Sequence, residues 1–276
     1  MRLIIIAFFI SSFIHGQKLY QKNPYENGKM NSEGWIENDK KIYYWKFYHK
    51  NRKLAKEGHF KNGKKNGYWK FYDTKGHLEK EGHFKNGLKT DYWKIYKANI
   101  LVAEGNFKND KRLDHWKFYH QNKQLKEEGL YLNGLKTNFW KSFHTNGKLA
   151  KEGLFKNGKE DGYWKFHHST GQLEKDGEFK LGKSNGYWHF YSANGKKTSE
   201  GHFVNGKKQN WWLFYDDNEK INYKCQLSNN QKNGYCLMYK NEKLTSAVKY
   251  SKGERIKEWT DLKSFKKENK LSDLKS

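Results

Sequence analysis

The chain is short of aliphatic side chains. Leu, Ile, Val and Phe together account for 54 of its 276 residues, and the formal charge is +25, a combination that on its own would suit a disordered polymer. Disorder is excluded by what stands in their place: Phe, Tyr and Trp reach 17% and recur at fixed intervals, where large rings can supply the burial. Catalytic signatures are also lacking. No Gly-x-Ser-x-Gly elbow, His-Glu-x-x-His, phosphate-binding loop or dinucleotide fingerprint occurs, and the sequence offers no cofactor motif. A long apolar run is missing too. Leu3–Ile10 stops well short of the ~20 residues a spanning helix needs, which disfavours an uncleaved membrane anchor. With Arg2 before that run and Ser11, Ser12 and Gly16 after it, residues 1–16 read as a secretory signal cut before Gln17. The expected product is an exported protein, periplasmic, surface-bound or secreted.

What is present is a repeat. Gly34, Gly58, Gly82, Gly105, Gly129, Gly153, Gly177 and Gly201 recur almost every 24 residues, each followed eleven residues later by Trp45, Trp69, Trp93, Trp116, Trp140, Trp164, Trp188 or Trp212. A unit this short cannot bury its own apolar face and must stack on copies of itself. Within a unit, Glu57–Phe60 and Tyr68–Tyr72 are aromatic-rich runs separated by Asn62-Gly63, a strong hairpin signal. Asn86-Gly87, Asn133-Gly134, Asn157-Gly158 and Asn205-Gly206 repeat it, with Asn109-Asp110 and Leu181-Gly182 as looser versions. A second turn joins units, with Gly76, Asn99, Gly147, Gly171 and Gly195 where a positive φ is required. The reading is all-β: an elongated single-sheet meander of stacked hairpins, about ten units, on the order of 90 Å long at two strand spacings per unit.

Charge fixes the register. If Gly58 faces Trp69, Glu57 faces Lys70, and the opposition recurs as Glu33 with Lys46, Glu81 with Lys94, Glu104 with Lys117, Glu128 with Lys141 and Glu152 with Lys165. Each Trp then covers a strand glycine. Cys225 and Cys236, the only cysteines, fall where the next Gly and Trp would stand. A cross-strand disulfide is expected there in an exported protein, the alternative being two free thiols packed as small hydrophobes. The chain therefore divides into a signal (1–16), an N-terminal half-repeat cap (17–33), eight regular repeats (34–224) and two degenerate repeats (225–259). Residues 260–276 form a basic tail or a short capping helix begun at Thr260, with the tail favoured.

The pattern Gly-x-Phe-x-Asn-Gly-Lys-x-x-Gly-x-Trp-x-Phe-Tyr, followed by an Asn-Gly-Lys-Leu turn, resembles the MORN repeat in its bacterial, antitoxin-like variant from Tyr25 to Trp259. The resemblance implies stacked hairpins used for protein scaffolding, with dimerisation and lipid contact among the family's associations.

Two residue sets invite a chemical role. His59, His83 and His202 share one repeat position, but equivalent atoms two strands apart are roughly 9.6 Å from one another, too far to converge on one metal. No metal site is expected, and packing beside a tyrosine of the partner strand fits them better. The basic residues Lys61, Lys64, Lys65, Lys85, Lys89, Lys108, Lys111, Arg112, Lys136, Lys156, Lys159, Lys180, Lys183, Lys207 and Lys208 cluster at the hairpin turns. In a meander these would line one edge, either as a solvated fringe guarding the sheet or as a stripe for an anionic glycan or lipid surface. Nucleic acid fits an exported chain poorly. The expected function is a non-enzymatic scaffold for a protein or cell-envelope partner, with the lysine edge as the second reading.

Overall fold

The computed structural model describes residues 17–274. The expected signal segment, Met1–Gly16, lies outside the described residues. Among the described residues the chain is all-β, an open meander of 21 antiparallel strands running from Leu19–Pro24 to Glu254–Trp259. It divides into two compact units. One comprises the residues up to 99 together with 107–110, and the other comprises 100–106 with 111 onward.

Local backbone chemistry makes the hairpins. Asn62 and Gly63 have φ of 51° and 76°, the double left-handed step of a two-residue turn whose twist matches that of the flanking strands. Hairpins are joined by a wider turn: Asp73 N donates to His77 O and Gly76 N donates to Asp73 O, both at 2.9 Å, with Gly76 at φ 88°. Arg52, Lys123 and Glu219 take the same left-handed position at φ of 72°, 67° and 58°, so a glycine or asparagine is preferred there but not required. At Ala98-Asn99 both residues are left-handed, and this connection is the shorter one.

Pairing follows the charge argument: Gly58 faces Trp69 with Glu57 facing Lys70, and Gly82 faces Trp93 with Glu81 facing Lys94. The glycine is required by close approach, since a Cβ on Gly58 would lie 2.4 Å from Trp69 Cδ2. One feature went unanticipated. After Gly58 the register jumps to Phe60 opposite Lys65, so the strand bearing the tryptophan carries a two-residue bulge. Its left-handed residue lies two positions before each tryptophan, as in Gly67 (φ 76°), Asp91 (56°), Asn138 (57°) and Gly162 (89°). The indole completes the bulge: Trp69 Nε1 donates to His59 O at 3.0 Å, and Trp93 Nε1 donates to both His83 O and Thr90 O at 3.1 Å.

In the second unit, Cys225 faces Cys236 and the two are joined by a disulfide. The last hairpin, Lys243–Ser251 with Glu254–Trp259, follows. Beyond it the chain is helical rather than a loose tail. Leu262–Glu268 forms a helix whose N-cap, Asp261, accepts from Ser264 N at 2.8 Å. Phe265 docks its ring on Trp259 and Tyr235 at 5.5 and 5.6 Å, and that contact orders the segment.

Candidate functional site

Alternation along the strands gives the sheet two unlike faces. On one face each tryptophan lies within 2% of full burial and meets a neighbouring ring edge-on, as Phe60–Trp69 at 5.0 Å and 88° or Phe155–Trp164 at 5.1 Å and 90°. Such edge-to-face pairs add to the area they bury. This face is the core, closed over by lysine stems.

Those lysines correct the expected edge. Lys61, Lys64, Lys85, Lys108, Lys111, Lys156, Lys159, Lys180, Lys183 and Lys207 are exposed at the turns. Lys65, Lys89, Arg112, Lys136 and Lys208 are not; each folds over its own tryptophan, four positions on. The charged atoms lie 5.0, 5.1, 4.7, 4.0 and 3.9 Å from the centroids of Trp69, Trp93, Trp116, Trp140 and Trp212. The reason is the pleat: an even offset from a core residue puts a side chain on the core face, and the two-residue bulge preserves that parity. The constant spacing from tryptophan was the signal for them.

The opposite face carries an exposed aromatic in six of the eight regular repeats, with His115 and the half-buried Trp211 at that place in the other two. Tyr44, Tyr68 and Tyr92 in the first unit and Phe139, Tyr163 and Tyr187 in the second are 37–47% exposed. The histidines are where packing against tyrosine would put them. Tyr44–His59, Tyr68–His83 and Tyr187–His202 each meet edge-on at 4.9 Å. Beside this row the ladder glutamates face their lysines in register, but their hydrogen bonds go elsewhere. Tyr48 OH donates to Glu33 at 2.6 Å, Tyr72 OH to Glu57 at 2.9 Å and Tyr96 OH to Glu81 at 2.7 Å. Burial, reinforced by the nearby glutamates, pushes the hydroxyls of Tyr44, Tyr68 and Tyr187 up to about 12, so these three are neutral at ordinary pH. Among the described residues no group of three His, Cys, Asp or Glu side chains is placed to hold a metal.

Faces of this kind define a class: an array of one-hairpin repeats with a sealed ring face and an open tyrosine face. Within that class, residues 65–86, 115–133 and 140–157 match the family model of the MORN repeat variant. No curated protein matches the sequence. Among solved structures the chain is similar to TarM, at 15% identity over 34% of this chain and 20% of that one, with a TM-score of 0.24. It is likewise similar to a mutant of S. aureus TarM in complex with fondaparinux, alpha-GlcNAc-glycerol and UDP, at 15% identity over 34% and 19% and a TM-score of 0.25. A third, TcdB2-TccC3-TEV, gives 11% identity over 84% of this chain and 14% of that one, with a TM-score of 0.17. The chain spans a fifth or less of each, and overlaps this slight carry no argument about function.

Proposed function

We propose that the chain is a non-enzymatic, exported repeat scaffold that holds a protein partner or a cell-envelope component along its exposed aromatic row. The observation that supports this reading is the row itself, an amphipathic ring at the same place in repeat after repeat, bordered by glutamates and lysines that face each other. Rings of that type give contact area at small entropic cost. Affinity capture from an envelope fraction, read by mass spectrometry, should recover one partner with the native chain and lose it with Tyr44→Ser, Tyr68→Ser and Tyr92→Ser combined. Retention of the same partner by a variant of unchanged melting temperature would sink the reading. Export is tested separately by the mature N-terminus, expected at Gln17.

The exposed turn lysines keep a second reading in play, an electrostatic binder of anionic glycan or lipid headgroups. Binding of that kind should fade between low and physiological salt, because exposed charges are screened over ~8 to 10 Å, whereas contact through the aromatic row should persist.

A further inference from the structure

Three lysines of the first unit gather on the ring face without a carboxylate among them. Lys56 and Lys80 lie opposite Phe71 on its two flanking strands. Lys65 Nζ and Lys80 Nζ share the Phe71 ring, at 4.9 and 5.1 Å from its centroid, and Lys56 Nζ stands 4.7 Å from that of Phe47. Among the described residues no side-chain hydrogen bond or ion pair ties any of the three to an acidic residue. Burial presses the Lys65 ammonium down to about 8, the positive charges of Lys56, Lys80 and Lys89 push the same way, and Asp110 alone opposes them.

The second unit shows what such a niche accepts. Three repeats along, the positions of Lys56, Lys65 and Lys80 are held by Glu127, Lys136 and Lys151. There the Glu127 carboxylate pairs with Lys136, Ser142 Oγ donates to it at 3.3 Å, and Lys151 reaches Glu160 at 3.9 Å. The niche is thus completed from within by oxyanions of the chain itself. In the first unit Lys56 replaces that carboxylate, leaving three ammonium groups with no carboxylate paired to them and Asp110 acting on Lys65 only electrostatically.

We propose that Lys56, Lys65 and Lys80 form an oxyanion-binding site that takes a tetrahedral dianion, a sulfate or a phosphate ester, in the role the Glu127 carboxylate plays in the second unit. A dianion fits better than a carboxylate because three compact ammonium groups, each with three donors, must be satisfied together. The rings beneath are sealed by the lysine stems, so recognition is by charge and hydrogen bonding, without stacking. The site does not rest on the partner reading above, and either can fail alone.

The full chain titrated with sodium sulfate at ionic strength fixed by chloride, followed by calorimetry and by amide shifts, gives the test. Sulfate stays a dianion throughout, so only the protein titrates. One saturable site is expected at pH 7, weakening about tenfold by pH 9 as Lys65 loses its proton. Lys56→Glu, which copies the arrangement of the second unit and so should fold, is expected to weaken binding at least tenfold. Lys65→Arg should keep the site and abolish its pH dependence. Glu127→Lys should add a second site. Dextran sulfate in place of sulfate separates the sources: tighter binding, still lost in Lys56→Glu, assigns the dianion to a polymer, and equal binding per sulfate assigns it to a free ion. Sulfate binding that is the same in Lys56→Glu as in the native chain, or that is absent at pH 7 from both sulfate and dextran sulfate, would overturn the proposal.

Discussion

Two hairpins of the second unit solve the same packing problem differently. In the regular hairpin, Trp164 lies across Gly153, its Nε1 donates to Leu154 O at 3.0 Å, and Glu152 faces Lys165. In the degenerate hairpin, Cys225 and Cys236 take those two places and Lys224 stands where the glutamate would. The disulfide supplies a tie but neither ring nor donor. The burial on the ring face comes instead from Leu227 and Val248, with Phe203, Phe214, Tyr223 and Tyr250 packed against the pair, and the bulge is closed by a different bond, Gln226 Oε1 accepting from Tyr235 N at 2.7 Å beside the bulge glycine, Gly234. The difference shows that the Gly-Trp pair is one fastener with two jobs, filling the ring face and satisfying the bulge. Where it is lost, a covalent bond alone is not enough; aliphatic side chains and Gln226 complete it.

Breaking the fastener should have the largest effect. Trp140 is 1% exposed and donates to both Leu130 O and Thr137 O at 3.1 Å. Trp140→Ala should cost about 3 to 5 kcal/mol, read as lost amide protection in the flanking hairpins, because stability in a repeat array is local. A variant that keeps its protection would place the core on the other face. Next comes the covalent tie. Replacing Cys225 and Cys236 with alanine opens a short loop, for which the chain-entropy model gives about 3 kcal/mol. The loss should be confined to the last hairpins and the helix Leu262–Glu268, and a loss spread evenly over the second unit would contradict the comparison.

Much of this was legible beforehand. The Gly-Trp interval, the Asn-Gly turns and the Glu-Lys oppositions are pairwise and local, so residue type at a fixed offset was enough to set fold and register. The bulge was not, because it depends on which carbonyl is left over after pairing, and sequence shows that only as a left-handed residue before Tyr-Trp: Gly67, Asp91, Gly162. The site was half legible. Counting lysines near turns found the charge, but Lys64 and Lys65 are neighbours in sequence on opposite faces, and only parity from Trp69 separates them. The helix at 262–268 was the less favoured of the two readings of the last residues, because its anchor, Phe265, counts only once Trp259 and Tyr235 are in place.

A gentler disturbance should sharpen the comparison. Gly153→Ala would bring a Cβ to 2.3 Å from Trp164 Cδ2, and overpacking of that kind costs roughly 1 to 3 kcal/mol. Combined with Trp164→Ala the glycine substitution should cost nothing further, since the clash is gone; costs that simply add would mean that the two residues do not act as one fastener.

The smallest effect distinguishes the hairpins by pH. Where the cap meets the first regular repeat the Tyr48 hydroxyl, helped by Tyr20, Lys22 and Lys46, holds the Glu33 carboxyl below the usual carboxylate range against the opposing pull of burial. A carboxylate whose folded pKa is depressed contributes stability above its unfolded pKa, near 4.3, and loses it as pH falls through the folded value. Tyr48→Phe should therefore flatten the decline in local stability below about pH 4, by well under ~1 kcal/mol because the pair is partly solvated. The degenerate hairpin has Lys224 and Tyr239 at the corresponding places and no carboxylate to titrate, so Tyr239→Phe should leave its acid profile unchanged. Amide exchange from pH 6 to pH 3 on both variants decides the matter. Equal acid profiles for native chain and Tyr48→Phe would mean that the hydroxyl only fills space, and that the two kinds of hairpin differ in packing but not in charge.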